Sequence, residues 1–203
     1  PEWLELATED VRDLLSTTPY ADAPIVATSA TTGSGLDELG TVLSGAAERS
    51  GPRVVDDLVR LPVDRVFTVK GTGTVVTGTL WSGVLKDGDA VRLLPDGPAV
   101  RIRGVQVHGS EADRAAAGQR TAVALAGAGL KREDVERGFT VVSDDAWEAT
   151  SMLTARLSVL PNSGWEIRHG QRVRVHLGTA EVMARVALLE DEMLVPGSEG
   201  WAQ

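Results

Sequence analysis

An acid and a permanently charged base stand next to each other in this chain, Asp64 and Arg65. A carboxylate beside a guanidinium can close an ion pair, or the two groups can each bind one charge of a ligand. Neither group is activated for covalent chemistry by a neighbouring base, and no Ser–His–Asp arrangement is visible in the sequence. On the residues alone, an ordinary surface ion pair, which contributes only ~0–1 kcal/mol, is the favoured interpretation.

The two charges lie in a predicted β-hairpin. The apolar and β-branched run Val63–Val69 is followed by a short glycine turn and by a second such run, Thr74–Leu80. Runs of this kind joined by a brief glycine loop predict a hairpin. Because strand side chains alternate, we expect Val63, Arg65 and Phe67 on one face of the first strand and Asp64 on the other.

The glycines of the turn, Gly71-x-Gly73, superficially match the start of a dinucleotide-binding fingerprint. That fingerprint requires a helix after the glycines, whereas a strand-like run follows here. We therefore interpret them as a tight turn.

The histidines, His108, His169 and His176, have no partners at ligand spacing, so no metal site is predicted.

Composition limits the class of protein. The chain has 203 residues, enough for one large or two modest domains, and it contains no cysteine and no apolar run long enough to cross a membrane. We expect a cytoplasmic protein with no membrane partner. A net charge of −9 argues against a general nucleic-acid binder. One segment is locally basic, and its residues are candidates to face RNA: Arg168, His169, Arg172, Arg174, His176 and Arg185.

The coarse organisation is a short α/β piece followed by strands. Helical spacing predicts helices over residues 3–15 and from Leu36 to about Gly51, with a buried strand at Pro24–Ser29 between them. Residues 51–57 are interpreted as a linker. Short strands with frequent turn signals then predict a barrel over residues 58–147 and a second, incomplete barrel over 148–203.

One of the predicted barrel strands, Ala99–Val107, alternates between polar and apolar residues. Alternation places Arg101, Arg103 and Val105 on the same face. A solvated outer face is the favoured interpretation of the two arginines.

The hairpin carries a family resemblance. Pro62-Val63-Asp64-Arg65-Val66-Phe67, followed by Gly-Thr-Val-Val-Thr-Gly-Thr from Gly73, resembles the opening hairpin of the second domain of translational GTPases, the elongation-factor Tu-like β-barrel. It is most similar to the selenocysteine-specific branch. The pattern His-x-Gly-Thr-Ala-Glu from His176 resembles the third domain of that branch. The implied fold is mainly β, with two elongation-factor Tu-like barrels after the C-terminal part of a GTP-binding domain in residues 1–50.

The resemblance implies particular site residues. Asp64, Arg65 and Arg120 match the positions around a selenocysteine side chain, and Phe67, Gly71 and Thr77 shape the wall of that pocket. Asp64 would either hold Arg65 or meet the aminoacyl α-amino group; an ordinary surface ion pair is the alternative.

Ser29, Ala30 and Thr31 resemble the last guanine-binding motif of GTPases, in which the alanine N–H contacts the base. A plain helix-entry loop is the alternative there.

The function implied is that of a GTP-dependent elongation factor that binds selenocysteinyl-tRNA and delivers it to the ribosome. In that family a selenoprotein mRNA hairpin is bound by regions that this sequence does not contain. Two alternatives remain open at this point. One is another elongation-factor Tu-like GTPase with a different aminoacyl pocket, and the other is a ribosome- or protein-binding barrel module without a tRNA role.

Most of the nucleotide machinery is missing from the sequence. It contains no G-x-x-x-x-G-K-[ST] loop and no Asn-Lys-x-Asp, and Asp37-Glu38-Leu39-Gly40 lies in a helical pattern. GTP and magnesium are therefore expected only in a full-length GTPase, and this chain alone is not expected to be an enzyme.

Calorimetry should show no tight GTP binding to the 203 residues. Micromolar affinity would contradict this prediction.

Overall fold

The structure is a computed structural model that describes residues 2–51, 53–95, 97–127, 129–143 and 146–203. The chain divides into two compact units, residues 1–52 and 53–203, which are described separately. In the described part of the chain, no helix has the length and apolar character needed to span a bilayer.

The first unit is helical. Helix α1 spans Glu2–Ser16 and helix α2 spans Leu36–Arg49, as the spacing of their apolar residues predicted. The prediction of a strand at Pro24–Ser29 is wrong, because these residues are not in a strand. The described residues of this unit provide no second strand to pair with them. Asp37–Gly40 lies in α2, which confirms the helical interpretation of that segment.

The second unit is built from strands. Its described residues form β1 (Arg60–Val69), β2 (Gly73–Thr79), β3 (Val84–Lys86), β4 (Ala90–Leu94), β5 (Ala99–Val107), β6 (Ser110–Ala112), β7 (Arg114–Ala116), β8 (Arg120–Ala126), β9 (Thr140–Val142), β10 (Ala155–Ser158), β11 (Ile167–Arg168), β12 (Arg172–Leu177), β13 (Ala180–Arg185), β14 (Met193–Leu194) and β15 (Glu199–Ala202).

Six of these strands close into a barrel. The order is β4-β9-β1-β2-β8-β5, and β5 pairs back with β4. Apolar side chains that alternate inward fill the interior, and the largest of them are at most 1% exposed: Leu61, Leu80, Leu85, Leu93 and Ile102. Burying each stabilises the fold by about 1.5–3 kcal/mol. The mainly-β prediction is confirmed, and the first barrel is closed.

Two β-bulges break the expected alternation. The register shifts in β1 between Val63 and Arg65 and in β5 between Ile102 and Gly104. An extra residue on one strand moves the following side chains to the opposite face. Val63 is buried while Arg65 is exposed, so the prediction that they share a face is wrong.

The same error affects the second bulged strand. Val105 is buried, whereas Arg101 and Arg103 are exposed. The three residues therefore do not share a face, although the two arginines do lie on the solvated outer surface as interpreted.

The C-terminal part of this unit holds three two-stranded sheets, β10–β15, β11–β14 and β12–β13. They surround a small core formed by Val159, Val186, Leu188, Leu194 and Ala202. The run predicted at residues 179–189 forms a shorter strand, β13. The domain boundaries predicted from the sequence stay predictions.

Gly78 and Gly104 lie beside the two bulges and offer a matched test. A Cβ at Gly78 would overlap the Pro62 carbonyl oxygen and lie 3.0 Å from Leu61 Cδ1, whereas a Cβ at Gly104 would meet nothing within 4 Å. Overpacking predicts that Gly78→Ala lowers the free energy of unfolding by about 2 kcal/mol or more. Gly104→Ala should change it by less than ~1 kcal/mol. Urea unfolding followed by circular dichroism checks both, and equal effects would contradict the crowding argument.

Candidate functional site

Asp64 lies at the β1 bulge and is joined to two neighbouring strands. Arg120, at the start of β8, grips its carboxylate with both Nη groups, and the Nη2–Oδ1 distance is 2.9 Å. The Thr77 hydroxyl of β2, between them, donates to Oδ1 at 2.9 Å. Three adjacent strands are thus linked on the outer wall of the barrel.

The electrostatics of this cluster favour the ionised carboxylate. The hydrogen bond from Arg120 is the main cause that lowers the pKa of Asp64, and it outweighs the raising effect of partial burial; Thr77 and the charge of Arg65 lower the pKa further. The pKa of the Arg120 guanidinium is raised by the same hydrogen bond. Both side chains are therefore charged near neutral pH.

Arg65 adds a second cation to the cluster. It lies directly opposite Thr77 in the β1–β2 ladder and is exposed. Among the described residues it forms no ion pair, and Asp64 bonds to Arg120 instead. One carboxylate and two guanidiniums leave the cluster with a net positive charge.

The other predicted wall residues lie further along the hairpin. Phe67 faces outward, 40% exposed, two residues after Arg65. Gly71 lies in the turn, where a positive φ of 85° suits glycine. The structure thus brings Asp64, Thr77 and Arg120 into contact, with Arg65 beside them, and places Gly71 at the far end of the hairpin.

A cavity of about 580 Å³ opens on the same outer wall. Phe67, Val75, Ala122 and Ala124 form an apolar part of its lining. Ala122 is the direct ladder partner of Thr77, so the cavity adjoins the charged cluster. The polar residues of its lining are Asp87, Arg103, Gln106, Glu111 and Asp113. The sequence reasoning singled out only Arg103 among them, and it did so as part of a solvated face. Arg103 and Gln106 lie on β5 and Glu111 lies on β6, whereas Asp87 lies in the β3–β4 turn and Asp113 lies between β6 and β7.

The basic candidates of the C-terminal part divide into two groups. Arg172, Arg174 and His176 alternate along β12 and are exposed, and Arg185 of β13 lies directly opposite Arg172. Glu181 approaches this row, 3.1 Å from Arg174 and 4.0 Å from His176 Nδ1. This row, with Glu181 included, is called the β12–β13 basic face below.

The remaining two candidates are held by local partners. Arg168 is ion-paired with Glu166, and His169 Nδ1 is 3.1 Å from the Leu188 carbonyl oxygen. Both lie beside Gly170 and apart from the alternating positions of β12. The Arg168 side chain is nevertheless 68% exposed, as is that of Arg174, which is itself paired with Glu181.

The loop proposed as a guanine-binding remnant is a closed turn. The Gly33 N–H donates to the Ser29 carbonyl at 2.8 Å, and the Ser29 N–H donates to the Ser34 carbonyl at 3.0 Å. The Thr32 N–H also reaches the Ser29 hydroxyl. Ala30 is exposed and Thr31 follows it, so the small residues lie at the surface before α2.

No group of metal-ligating side chains occurs within the described ranges.

The ion pair predicts a pH-dependent contribution to stability. Because the folded-state pKa of Asp64 is lowered, its contribution is present above the unfolded value of ~3.9 and is lost as pH falls through the folded-state pKa. With side chains 24% and 46% exposed, the pair contributes only about 1 kcal/mol or less. Asp64→Asn should therefore cost stability at pH 7 and cost nothing once the pH is below the folded-state pKa.

Exposed Asp113, which has no ion pair among the described residues, provides the control. Asp113→Asn removes a carboxylate that makes no contact with Arg120, so it separates the loss of a surface carboxylate from the loss of the Arg120 contact. Urea unfolding from pH 2.5 to 7 measures both variants. A difference for Asp64→Asn that does not change with pH would show that the carboxylate gains nothing from Arg120.

Comparisons with known proteins show what this chain is similar to. The family model described as Elongation factor Tu domain 2 matches residues 73–142. The selenocysteine-specific elongation factor of Desulfomicrobium baculatum is 39% identical over 202 residues, which cover 100% of this chain and 32% of that protein. The factor of the same name from Escherichia coli (strain K12) is 34% identical over 184 residues, 90% of this chain and 29% of that protein.

A solved structure gives the same result for the fold. The crystal structure of a bacterial selenocysteine-specific elongation factor, EF-Sec, superposes with a TM-score of 0.81 at 25% identity, covering 100% of this chain and 32% of that one. The chain thus spans about a third of the length of the relatives it matches. Over that third, this chain is similar to selenocysteine-specific elongation factors, and its residues 73–142 match the elongation factor Tu domain 2 model.

Proposed function

We propose that this chain supplies the aminoacyl-binding part of a GTP-dependent elongation factor that binds selenocysteinyl-tRNA and delivers it to the ribosome. The observation that carries the proposal is the cluster of Asp64, Arg65 and Arg120 on the outer wall of a barrel of this family. The curated relatives are named for selenocysteine, and the cluster has the charges that such a residue requires.

The charge of the ligand explains the choice of residues. A thiol has a reference pKa of ~8.5, and a selenol is more acidic, so a selenocysteine side chain is anionic at neutral pH. Serine presents a neutral hydroxyl. A cluster with one carboxylate and two guanidiniums can bind the anion through an arginine and the α-amino group through Asp64.

The existing ion pair assigns different parts to the two arginines. Asp64 already occupies both Nη groups of Arg120, whereas Arg65 has no ion-pair partner among the described residues. Arg65 is therefore the cation that meets an incoming anion first. Arg120 can join it if the α-amino group takes over the carboxylate of Asp64, so that one ion pair is exchanged for two.

The adjoining cavity suits the end of the acceptor strand. Its apolar lining contains small side chains, Ala122 and Ala124, together with the ring of Phe67. A planar base can lie against such a surface, while Gln106 and Glu111 at the edge offer polar atoms. The β12–β13 basic face would contact backbone phosphates of the tRNA, a contribution that weakens as salt concentration rises.

The rest of the activity belongs to the full-length family member. GTP, with magnesium, would be bound by a complete GTP-binding domain, to which Ser29, Ala30 and Thr31 would contribute a base contact. The ribosome is the second partner, and the selenoprotein mRNA hairpin would be bound by parts of the family outside the third that this chain spans. The site of action is the cytoplasm.

Removing one arginine tests the selectivity. In the full-length gene product, Arg65→Ala or Arg120→Ala should weaken selenocysteinyl-tRNA binding by about 1–3 kcal/mol, the scale of a charge-assisted hydrogen bond. Seryl-tRNA, which has no side-chain anion, should lose far less affinity. Equilibrium binding to both tRNAs and to uncharged tRNA measures the ratio.

Arg114 provides a matched control, because it is exposed on β7 and lies outside the cluster. Arg114→Ala should leave the ratio between the two tRNAs unchanged. Equal losses for both tRNAs in the Arg65 and Arg120 variants would show that these arginines bind phosphate. Selective binding of a different aminoacyl-tRNA would favour another elongation-factor Tu-like GTPase, and no binding of any tRNA would favour a barrel module without a tRNA role.

A further inference from the structure

The turn that joins β12 to β13 packs against the first barrel. A Cβ on Gly138 would lie 3.0 Å from Ala180 Cα and 3.2 Å from Ala180 Cβ. A Cβ on Gly178 would lie 3.3 Å from Trp81 Cη2 and 3.5 Å from Pro62 Cβ. The Arg137 Nε–H also donates to the Thr179 carbonyl at 3.3 Å. Side chains larger than glycine do not fit at these two positions without movement.

The β12–β13 turn contacts a second turn, Glu136–Phe139, and this second turn is hydrogen-bonded to the β1 bulge. The Val63 N–H donates to the Phe139 carbonyl at 2.7 Å, and the Gly138 N–H donates to the Val63 carbonyl at 2.9 Å. Both backbone hydrogen-bonding groups of Val63 are thus taken by this turn. Val63 is the residue immediately before Asp64, at the point where the β1–β2 register shifts.

We propose that Ala180 and Gly138 are positioning residues for the carboxylate of Asp64. The β12–β13 turn fixes the Glu136–Phe139 turn, that turn fixes Val63, and Val63 sets where the bulge places Asp64 relative to Arg120 and Thr77. The contacts form one continuous path from the β12–β13 basic face to the charged cluster. Its consequence for tRNA selectivity rests on the proposed function, whereas the positioning itself does not.

The path is effective because the cluster tolerates little displacement. Asp64 Oδ1 accepts hydrogen bonds from Thr77 and from Arg120, both at 2.9 Å, and hydrogen bonds weaken steeply with distance and angle. A bulge is also the part of a strand with the fewest ladder bonds of its own. The external turn therefore supplies restraint that the β1–β2 ladder lacks at this position.

The test enlarges the contact and measures the carboxylate directly. Ala180→Leu pushes against Gly138, and the matched control Ala184→Leu lies on the same face of β13, opposite Val173 of the second core. Carbon-detected NMR titration of the Asp64 carboxylate in the 203-residue chain gives its pKa in the folded protein. Arg120→Ala defines the upward shift that follows complete loss of the guanidinium.

We expect Ala180→Leu to raise the titration midpoint of Asp64 by no more than Arg120→Ala raises it. Ala184→Leu should leave the midpoint unchanged. Loss of thermal stability without a shift in the midpoint would overturn the proposal. So would an unchanged midpoint in Arg120→Ala, because the carboxylate would then not depend on that partner. If Ala180→Leu does not fold, Arg137→Gln removes only the bond to Thr179 and should give a smaller upward shift; no shift there overturns the proposal too.

The tRNA measurement is kept separate. In the full-length gene product, Ala180→Leu should reduce the ratio of selenocysteinyl- to seryl-tRNA affinity, and Ala184→Leu should not. An Asp64 shift with no tRNA binding by the unsubstituted protein would reject the proposed function and leave the positioning intact. If Ala180→Leu shifts the Asp64 midpoint but leaves the ratio of selenocysteinyl- to seryl-tRNA affinity unchanged, the contacts position the carboxylate but have no role in selectivity, and that part of the proposal is overturned.

Discussion

Closure of the first barrel is the constraint on which the outer wall depends. Strand β4 pairs with both β5 and β9, so each of the six ring strands has two neighbours. Strand β1 must satisfy this ring by pairing first with β9 through Arg60–Pro62 and then with β2 from Val63 onward. The bulge lies where the partners change, and a bulge bends its strand. Asp64 therefore faces Arg120 and Thr77 as a consequence of how the barrel closes.

The resulting ion pair contributes little to the free energy of folding. Both partners are solvent-accessible, and exposed pairs contribute little to stability. The value of the arrangement is geometric, because a bidentate guanidinium has a fixed direction. The cavity beside the pair supplies apolar contact area that the charged groups lack. Charge and shape are thus provided by neighbouring parts of one wall, on strands β1, β2, β8 and β5.

Sequence pattern predicted the hairpin, the longer barrel strands and the residues of the cluster, since these depend on local alternation and on a specific family motif. It failed at Val63, Arg65 and Val105, because a bulge adds one residue without leaving a mark in composition. The strand predicted at Pro24–Ser29 failed for a different reason, the absence of a pairing strand within the described residues of its unit. The pairing of Asp64 with Arg120, 56 positions apart, was beyond local reasoning, although both residues were named as candidates.

The separation between the two faces of the barrel wall bears on how specificity can evolve. Asp64, Thr77 and Arg120 touch one another, and none of them belongs to the hydrophobic core. Substitutions at these three positions can alter the charge of the outer wall while the interior keeps its packing. Gly78, one residue from Thr77, has no such freedom, because the carbonyl of Pro62 occupies the space of a side chain. Proteins built on this barrel can therefore diverge in the charge of the outer wall through substitutions at a few outward-facing positions, while the interior of the barrel stays unchanged.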